Sequence, residues 1–303
     1  VNKRKIKTFL ILGFAFLVVS MLAGCAAKTV PVWGDPQTGL ILQYRMAEGQ
    51  VLKYESWGKT HQTMEVMGQT IDVDIDSMNN FSVESKGQKQ QNYLLTITID
   101  GMSIEIQSPQ GEMEADMSKV IGKSFDMVLS SLGEELELIG AQAIEYDMGP
   151  EGKRSIAASF QDVFPAVAGR PVKAGDSWPD ESTITDKSSN GEAVIKVSSV
   201  NTLEGFETVD GWECVKVSAK ASGTIEGTGE QQGMELITRG DITGTSTWYF
   251  AYKEGLFVKQ TLDGNIEGTV NVPSQNIDIP FTREMTSEIK LVSNPQQTEQ
   301  DKG

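Results

Sequence analysis

From Gly39 onward the sequence alternates apolar and polar residues with a period of two, and that period sets the fold class before anything else does. Ile71-Asp72-Val73-Asp74-Ile75-Asp76 interleaves three apolar residues with three aspartates. Side chains along a strand point alternately to opposite faces, so this pattern buries one face and solvates the other. Tyr93-Leu94-Leu95-Thr96-Ile97-Thr98-Ile99-Asp100 alternates in the same way. Asp100-Gly101 is a strong hairpin dipeptide and predicts a turn, with residues 102–106 returning from it. Further strands are expected over 193–200, 212–221, 235–242, 245–252, 256–262, 265–272 and 281–292. Residues 124–138 fit a hairpin, because Phe125, Met127 and Leu129 alternate, but their i, i+4 spacing also fits a helix. Gly223, Gly227, Gly229 and Gly233 lie among Thr, Glu and Gln, a composition expected of a loop or paired turns.

One segment breaks the pattern. Ile156, Phe160 and Phe164 recur at helical spacing, which predicts a helix over 153–163 that Pro165 would end. The expected fold is therefore mainly β: curved antiparallel sheets in two β-rich halves, 39–150 and 171–293, with a short helical connector over 151–170. A short echo between Arg45-Met46-Ala47-Glu48-Gly49-Gln50 and Pro171-Val172-Lys173-Ala174-Gly175-Asp176 hints at duplication. Periodicity leaves open whether the halves share one sheet system.

The first residues carry a different signal. Lys3, Arg4, Lys5 and Lys7 precede an apolar run from Phe9 to Leu22. A basic start and an apolar stretch too short to span a bilayer comfortably read as a secretory signal peptide over 1–24. The run ends in Leu22-Ala23-Gly24-Cys25, which resembles the bacterial lipobox. The resemblance implies cleavage between Gly24 and Cys25 and acylation of Cys25, giving a protein held by two or three acyl chains. Residues 26–38 then read as a tether, and the polar stretch 294–303 as a disordered tail. Ala26 and Ala27 follow the cysteine where an inner-membrane retention aspartate would stand. The expected location is the cell envelope, at the outer membrane if the cell has one.

Losing the four leader cations takes the formal net charge from −16 to −20. So acidic a chain is repelled by nucleic acid and by anionic headgroups, leaving the anchor, a lipid or an envelope protein as expected partners. Cys214 is the second of two cysteines, so once Cys25 is acylated no internal disulfide is available.

Motifs for chemistry are sparse. His61 is the single histidine, which starves histidine metal clusters and most serine triads of partners. No phosphate loop, nucleophile elbow or CxxC occurs, and neither a cofactor nor a catalytic residue is expected. Asp72, Asp74 and Asp76 form one acidic row, and Glu112, Glu114 and Asp116 a second. Same-face residues on a strand diverge by about 7 Å, so such rows suit a solvated face better than a Ca²⁺ cage or a hydrolase pair. Methionine is enriched in the first half. Met64, Met67, Met78, Met102 and Met127 either fill an irregular core or line an apolar ligand groove.

Several stretches together resemble a family of uncharacterised bacterial exported β-proteins and lipoproteins. They are Tyr44 to Tyr54 around Gly49, the Met-rich pair from Thr63 to Met78, Val120-Ile121-Gly122-Lys123, and Phe164-Pro165 followed by Arg170-Pro171-Val172-Lys173-Ala174-Gly175-Asp176-Ser177-Trp178. The resemblance implies an antiparallel β fold and no catalytic residues. A fainter likeness, in architecture alone, is to periplasmic lipoprotein carriers, in which a half-barrel wraps a helical lid around acyl chains. The expected function is a non-enzymatic binding protein of the envelope, with a lipid carrier as the alternative.

Overall fold

The computed structural model describes residues 32–149, 152–231 and 233–293. The leader, Gly24, Cys25, residues 26–31 of the tether and the tail lie outside them. The described chain forms, in order, β1 (Gly34–Asp35), β2 (Gly39–Leu40), β3 (Val51–Val66), β4 (Gln69–Lys89), β5 (Asn92–Ser108), β6 (Gly111–Glu114), β7 (Ser124–Leu129), β8 (Glu135–Ile139), β9 (Glu145–Asp147), β10 (Lys153–Ser155), β11 (Ser177–Ser188), β12 (Gly191–Val209), β13 (Trp212–Gln231), β14 (Met234–Ala251), β15 (Leu256–Val272) and β16 (Ile277–Ser293). Strand makes up 71% and helix 3%, so the fold is essentially all β.

One antiparallel sheet runs β8-β7-β5-β4-β3-β16-β15-β14-β13-β12-β11-β10-β9, with β6 on β5, and curls into a half-barrel. β1 and β2 form a separate two-stranded ribbon. The halves divided by the connector are not separate lobes. β16 pairs with β3 from Phe281↔Met64 to Ser293↔Lys53 and makes them one sheet.

The central strands are far longer than the pattern predicts. Residues 234–251 are not two strands but the single β14, and 256–272 are the single β15. Asp263-Gly264-Asn265 looks like a turn, yet Gly264 lies opposite Gly244, and Gly268 opposite Gly240. These glycines alternate along β14 and β15 with Ile242 and Ile266 on the concave face, the face that also carries buried Trp248. Of the loop expected over 223–233, residues 223–231 are likewise the end of β13, and Gly233 lies in a turn. A methyl at Gly223 would sit 2.1 Å from the Lys196 carbonyl oxygen. At Gly268 it would sit 2.4 Å from the Arg239 carbonyl oxygen and 2.8 Å from the Phe281 ring. The glycines admit neighbouring backbone on the inside of a tight curl. A stretch rich in turn residues is thus the bend of a sheet.

Asp100-Gly101 is no hairpin either. β5 runs straight through it, and the register against β4 shifts between Asn80 and Phe81, a bulge that absorbs the dipeptide. The 124–138 segment is the expected hairpin, β7 and β8.

The predicted helix over 153–163 is also corrected. Strand β10 ends at Ser155, whose side chain accepts from the Ala157 N–H and caps a 3-10 turn over Ile156–Phe160. Its apolar residues do not line one face. Ile156, Ala157, Phe160 and Phe164 are all buried, because the segment plugs the half-barrel from within. Phe160 meets Phe81 and Phe125 edge-on at 5.3 and 5.0 Å, while Tyr54 stacks between Phe81 and Phe257 at 5.4 and 5.9 Å. Such pairs add about 0.5–1.5 kcal/mol each beyond area burial. A smaller cluster of Ile225, Ile242, Ile266 and Phe281 covers the bend.

Candidate functional site: the acidic seam

A half-barrel has two lips. One is β8, the terminal strand of the sheet; the other is the outer edge of β11, which β10 meets only at Arg154↔Ser188. Residues 161–167 thread between them. Gln161 ties this segment to β11: its Nε2 donates to the Thr185 carbonyl at 3.1 Å and its Oε1 accepts from the Thr185 N–H at 2.8 Å. Glu135 ties it to β8. Glu135 Oε1 accepts from the N–H groups of Val163 and Phe164 at 2.8 and 3.2 Å, and Oε2 from the Asp162 N–H at 2.5 Å. Trp178 Nε1 donates to the Ala166 carbonyl at 3.2 Å, and the Val167 N–H donates to the Leu132 carbonyl at 2.8 Å.

Outside this segment the lips stay apart and enclose a cleft of about 610 Å³. Six carboxyl groups line it: Glu134, Glu135, Glu137, Asp162, Asp180 and Glu181. The remaining walls include Leu132, Leu136, Leu138, Ala166 and Val167, and none of the described lining residues is a lysine, arginine or histidine.

Uncompensated acids in a recess hold their protons harder. Burial pushes the Glu135 carboxyl up to about 8, against the pull of its three N–H donors. Both its oxygens accept, and the protonated acid still offers its carbonyl oxygen to the same donors. Burial likewise raises Asp162 to about 6, opposed by a hydrogen bond from Ser182. Asp180 is raised for the same reason. Asp162 opens onto the cleft and has φ +63°, a left-handed conformation that aspartate tolerates better than most residues.

Chemically the cleft is a cation-seeking surface. Among the described residues no group of three or more His, Cys, Asp or Glu side chains is placed to hold a metal ion. Glu135 accepts from three backbone N–H groups, which makes it a latch between β8 and the segment that follows Phe160.

The residues singled out from sequence lie elsewhere. Asp72, Asp74 and Asp76 face outward in a ladder with Thr63, His61 and Lys59, at 2.8, 2.7 and 3.3 Å. His61 sits mid-strand, with a neighbour on each side, and the Asp74 hydrogen bond raises its pKa. Glu112 and Glu114 are exposed on β6, and Asp116 bridges to Asp147. The two rows are not brought together, and of the second row Asp116 lines a recess with Glu145 and Asp147. The methionines do not share one groove. Met127 is wholly buried, Met102 packs on the main core, Met64 joins the small cluster, Met67 is exposed at the β3–β4 turn and Met78 is exposed on β4. Cys214 is buried, its thiol pushed up to about 12 by desolvation, an inert core residue.

Sequence reasoning missed Glu135, Gln161, Asp162 and Asp180. Asp162 alone left a trace, as an acid inside an apolar run just before Pro165.

Fold and cleft define a curled antiparallel half-barrel, plugged from within and open along an acidic seam. No family model matches the sequence, and no curated protein matches it as a relative. Among solved structures, the COG4313 outer membrane channel from Pseudomonas putida F1 is 8% identical, over 85% of this chain and 99% of its own, with a TM-score of 0.37. The hypothetical lipoprotein YmcC from Escherichia coli is 11% identical, over 78% of this chain and 84% of its own, with a TM-score of 0.23. Scores this low establish neither a common family nor a common activity.

Proposed function

We propose that this chain is a non-enzymatic, lipid-anchored protein of the bacterial cell envelope that binds a partner in its acidic seam. The anchor reading rests on Leu22-Ala23-Gly24-Cys25 behind a basic, then apolar leader. The binding reading rests on one observation: a cleft of about 610 Å³ with six carboxyl groups and no cation among its described lining residues. That volume is in the range of ligand sites, and six carboxyl groups gathered around one recess without a counter-charge suit a cationic ligand. The lipid-carrier alternative needs an open apolar interior. Against it, the plug fills the half-barrel with Phe160 and Phe164, both buried against the sheet's aromatic residues.

The test is site-specific photocrosslinking in intact cells, with the crosslinker at Glu137 in the cleft or at Glu267 on exposed β15 surface. The expected result is a discrete adduct from Glu137 alone, lost when Ala166→Trp fills the cleft. Equal adducts from both positions, or none from Glu137, would overturn the reading.

A further inference from the structure

The β11 lip has a register that can be read residue by residue. In an antiparallel strand the N–H and C=O of one residue point to the same side, and successive residues alternate. Thr185 points both groups away from β12, into Gln161. Ser177 points its carbonyl the same way, where Arg170 donates to it at 3.0 Å. Residues 179, 181 and 183 share that parity. The outward edge is thus capped by a side chain at each end and open between, and the open part coincides with the cleft wall at 180–183. The Glu181 N–H is engaged by the Asp180 carboxylate. The Thr183 N–H and the carbonyls of Pro179, Glu181 and Thr183 have no partner among the described residues.

Pro179 lies at one end of this gap, in an outward position where its missing N–H costs no ladder bond. It limits pairing to the two residues beyond it. Asp180 and Ser182 alternate with them onto the concave side, the side of buried Trp178, and Ser182 donates to Asp162. A strand laid on this edge would therefore place every second side chain among carboxylates.

We propose that the open edge of β11 receives an extended, lysine- or arginine-bearing peptide segment of a partner protein as an added strand. Main-chain hydrogen bonds to Thr183 and Glu181 fix the segment, and Asp162 and Asp180 select cations at alternate positions. This rests on the cleft being the binding site, and it adds the class of partner and the mode of capture.

The test uses the full chain in detergent micelles and labelled decapeptides read by fluorescence anisotropy. One peptide alternates lysine and threonine, one replaces lysine by glutamate, and one is the lysine peptide methylated at every backbone nitrogen. The lysine peptide is expected to bind at least tenfold more tightly than either of the others. Thr183→Pro is expected to weaken it at least tenfold. Should that variant fail to fold, the methylated peptide decides alone, because it keeps the charge and removes the strand. Equal binding of the lysine peptide and its methylated form would overturn strand addition while leaving the cleft a binding site. No binding of the lysine peptide would overturn the inference, whereas crosslinking from Glu137 tests the cleft itself.

Discussion

Gln161 pairs with both backbone groups of Thr185, its side-chain amide standing in for one residue of a neighbouring strand. A primary amide carries the same donor and acceptor as a peptide group, so it can close one position of an open edge. Each such bond contributes about 0.5–1.5 kcal/mol net. Gln161→Ala should therefore cost about 1–3 kcal/mol in urea unfolding. Gln161→Glu should cost more than half of that, since it keeps an acceptor and loses the donor. No loss in either variant would show that the Thr185 edge is satisfied by water.

Glu135 should matter more. Its carboxylate accepts from three consecutive N–H groups on the segment that carries Phe164 into the core. Removing it leaves those donors to the cleft's water and frees the plug from one lip. Glu135→Ala is expected to lower stability by at least about 2 kcal/mol, and Glu135→Gln, which retains one acceptor oxygen, by less. Hydrogen exchange should show the protection of residues 162–164 falling in the alanine variant. Unchanged exchange there would remove the latch role.

The fold class was legible in the sequence, and the strand lengths were not. Alternation such as Ile71 to Asp76 marks a strand whatever its partners. Asp263-Gly264-Asn265 marks a turn only if nothing pairs across it, and Gly244 does. Local composition cannot tell a glycine that ends a strand from one that lets a strand bend against its neighbour. The helix over 153–163 failed for a related reason. Ile156, Phe160 and Phe164 have helical spacing, but all three are buried from a 3-10 turn and the irregular stretch after it, which together plug the half-barrel. The seam was invisible because Glu135, Asp162 and Asp180 come from three separate segments and meet only when the sheet curls. Gln161 had no sequence signature, since closing an edge strand is a property of where that strand lies.

The bend itself is open to test at Gly268. A Cβ there would sit 2.4 Å from the Arg239 carbonyl oxygen and 2.8 Å from the Phe281 ring. The ring could shift; the carbonyl belongs to the paired strand and cannot without breaking the ladder. Gly268→Ala should cost about 1–3 kcal/mol, the range for overpacking. Gly205→Ala, at a position with open space around it, should cost far less. Equal effects of the two would show that the curl does not need glycine.

The raised carboxyls predict how stability follows pH. Asp162 and Glu135 have folded pKa values pushed up from 3.8 to about 6 and from 4.5 to about 8. In both cases the folded chain binds the proton more tightly than the unfolded chain. Their contribution is therefore fully present below the unfolded values and is lost as pH rises through the folded ones. His61, also raised, has the same sign. Asp116, which is lowered, works the other way and only at acid pH. Urea unfolding of the full chain should show stability falling from about pH 4 to about pH 8, the span between the unfolded and folded values. The Asp162 step should be the smaller, because its side chain meets the water of the cleft. Asp162→Asn, which still tolerates the left-handed backbone, should make the fall shallower below about pH 6 and leave its slope from there to about pH 8 unchanged. Stability that is flat or rising across this range would mean that the seam carboxyls ionise as easily as in the unfolded chain, and that their crowding carries no penalty for a cationic partner to relieve.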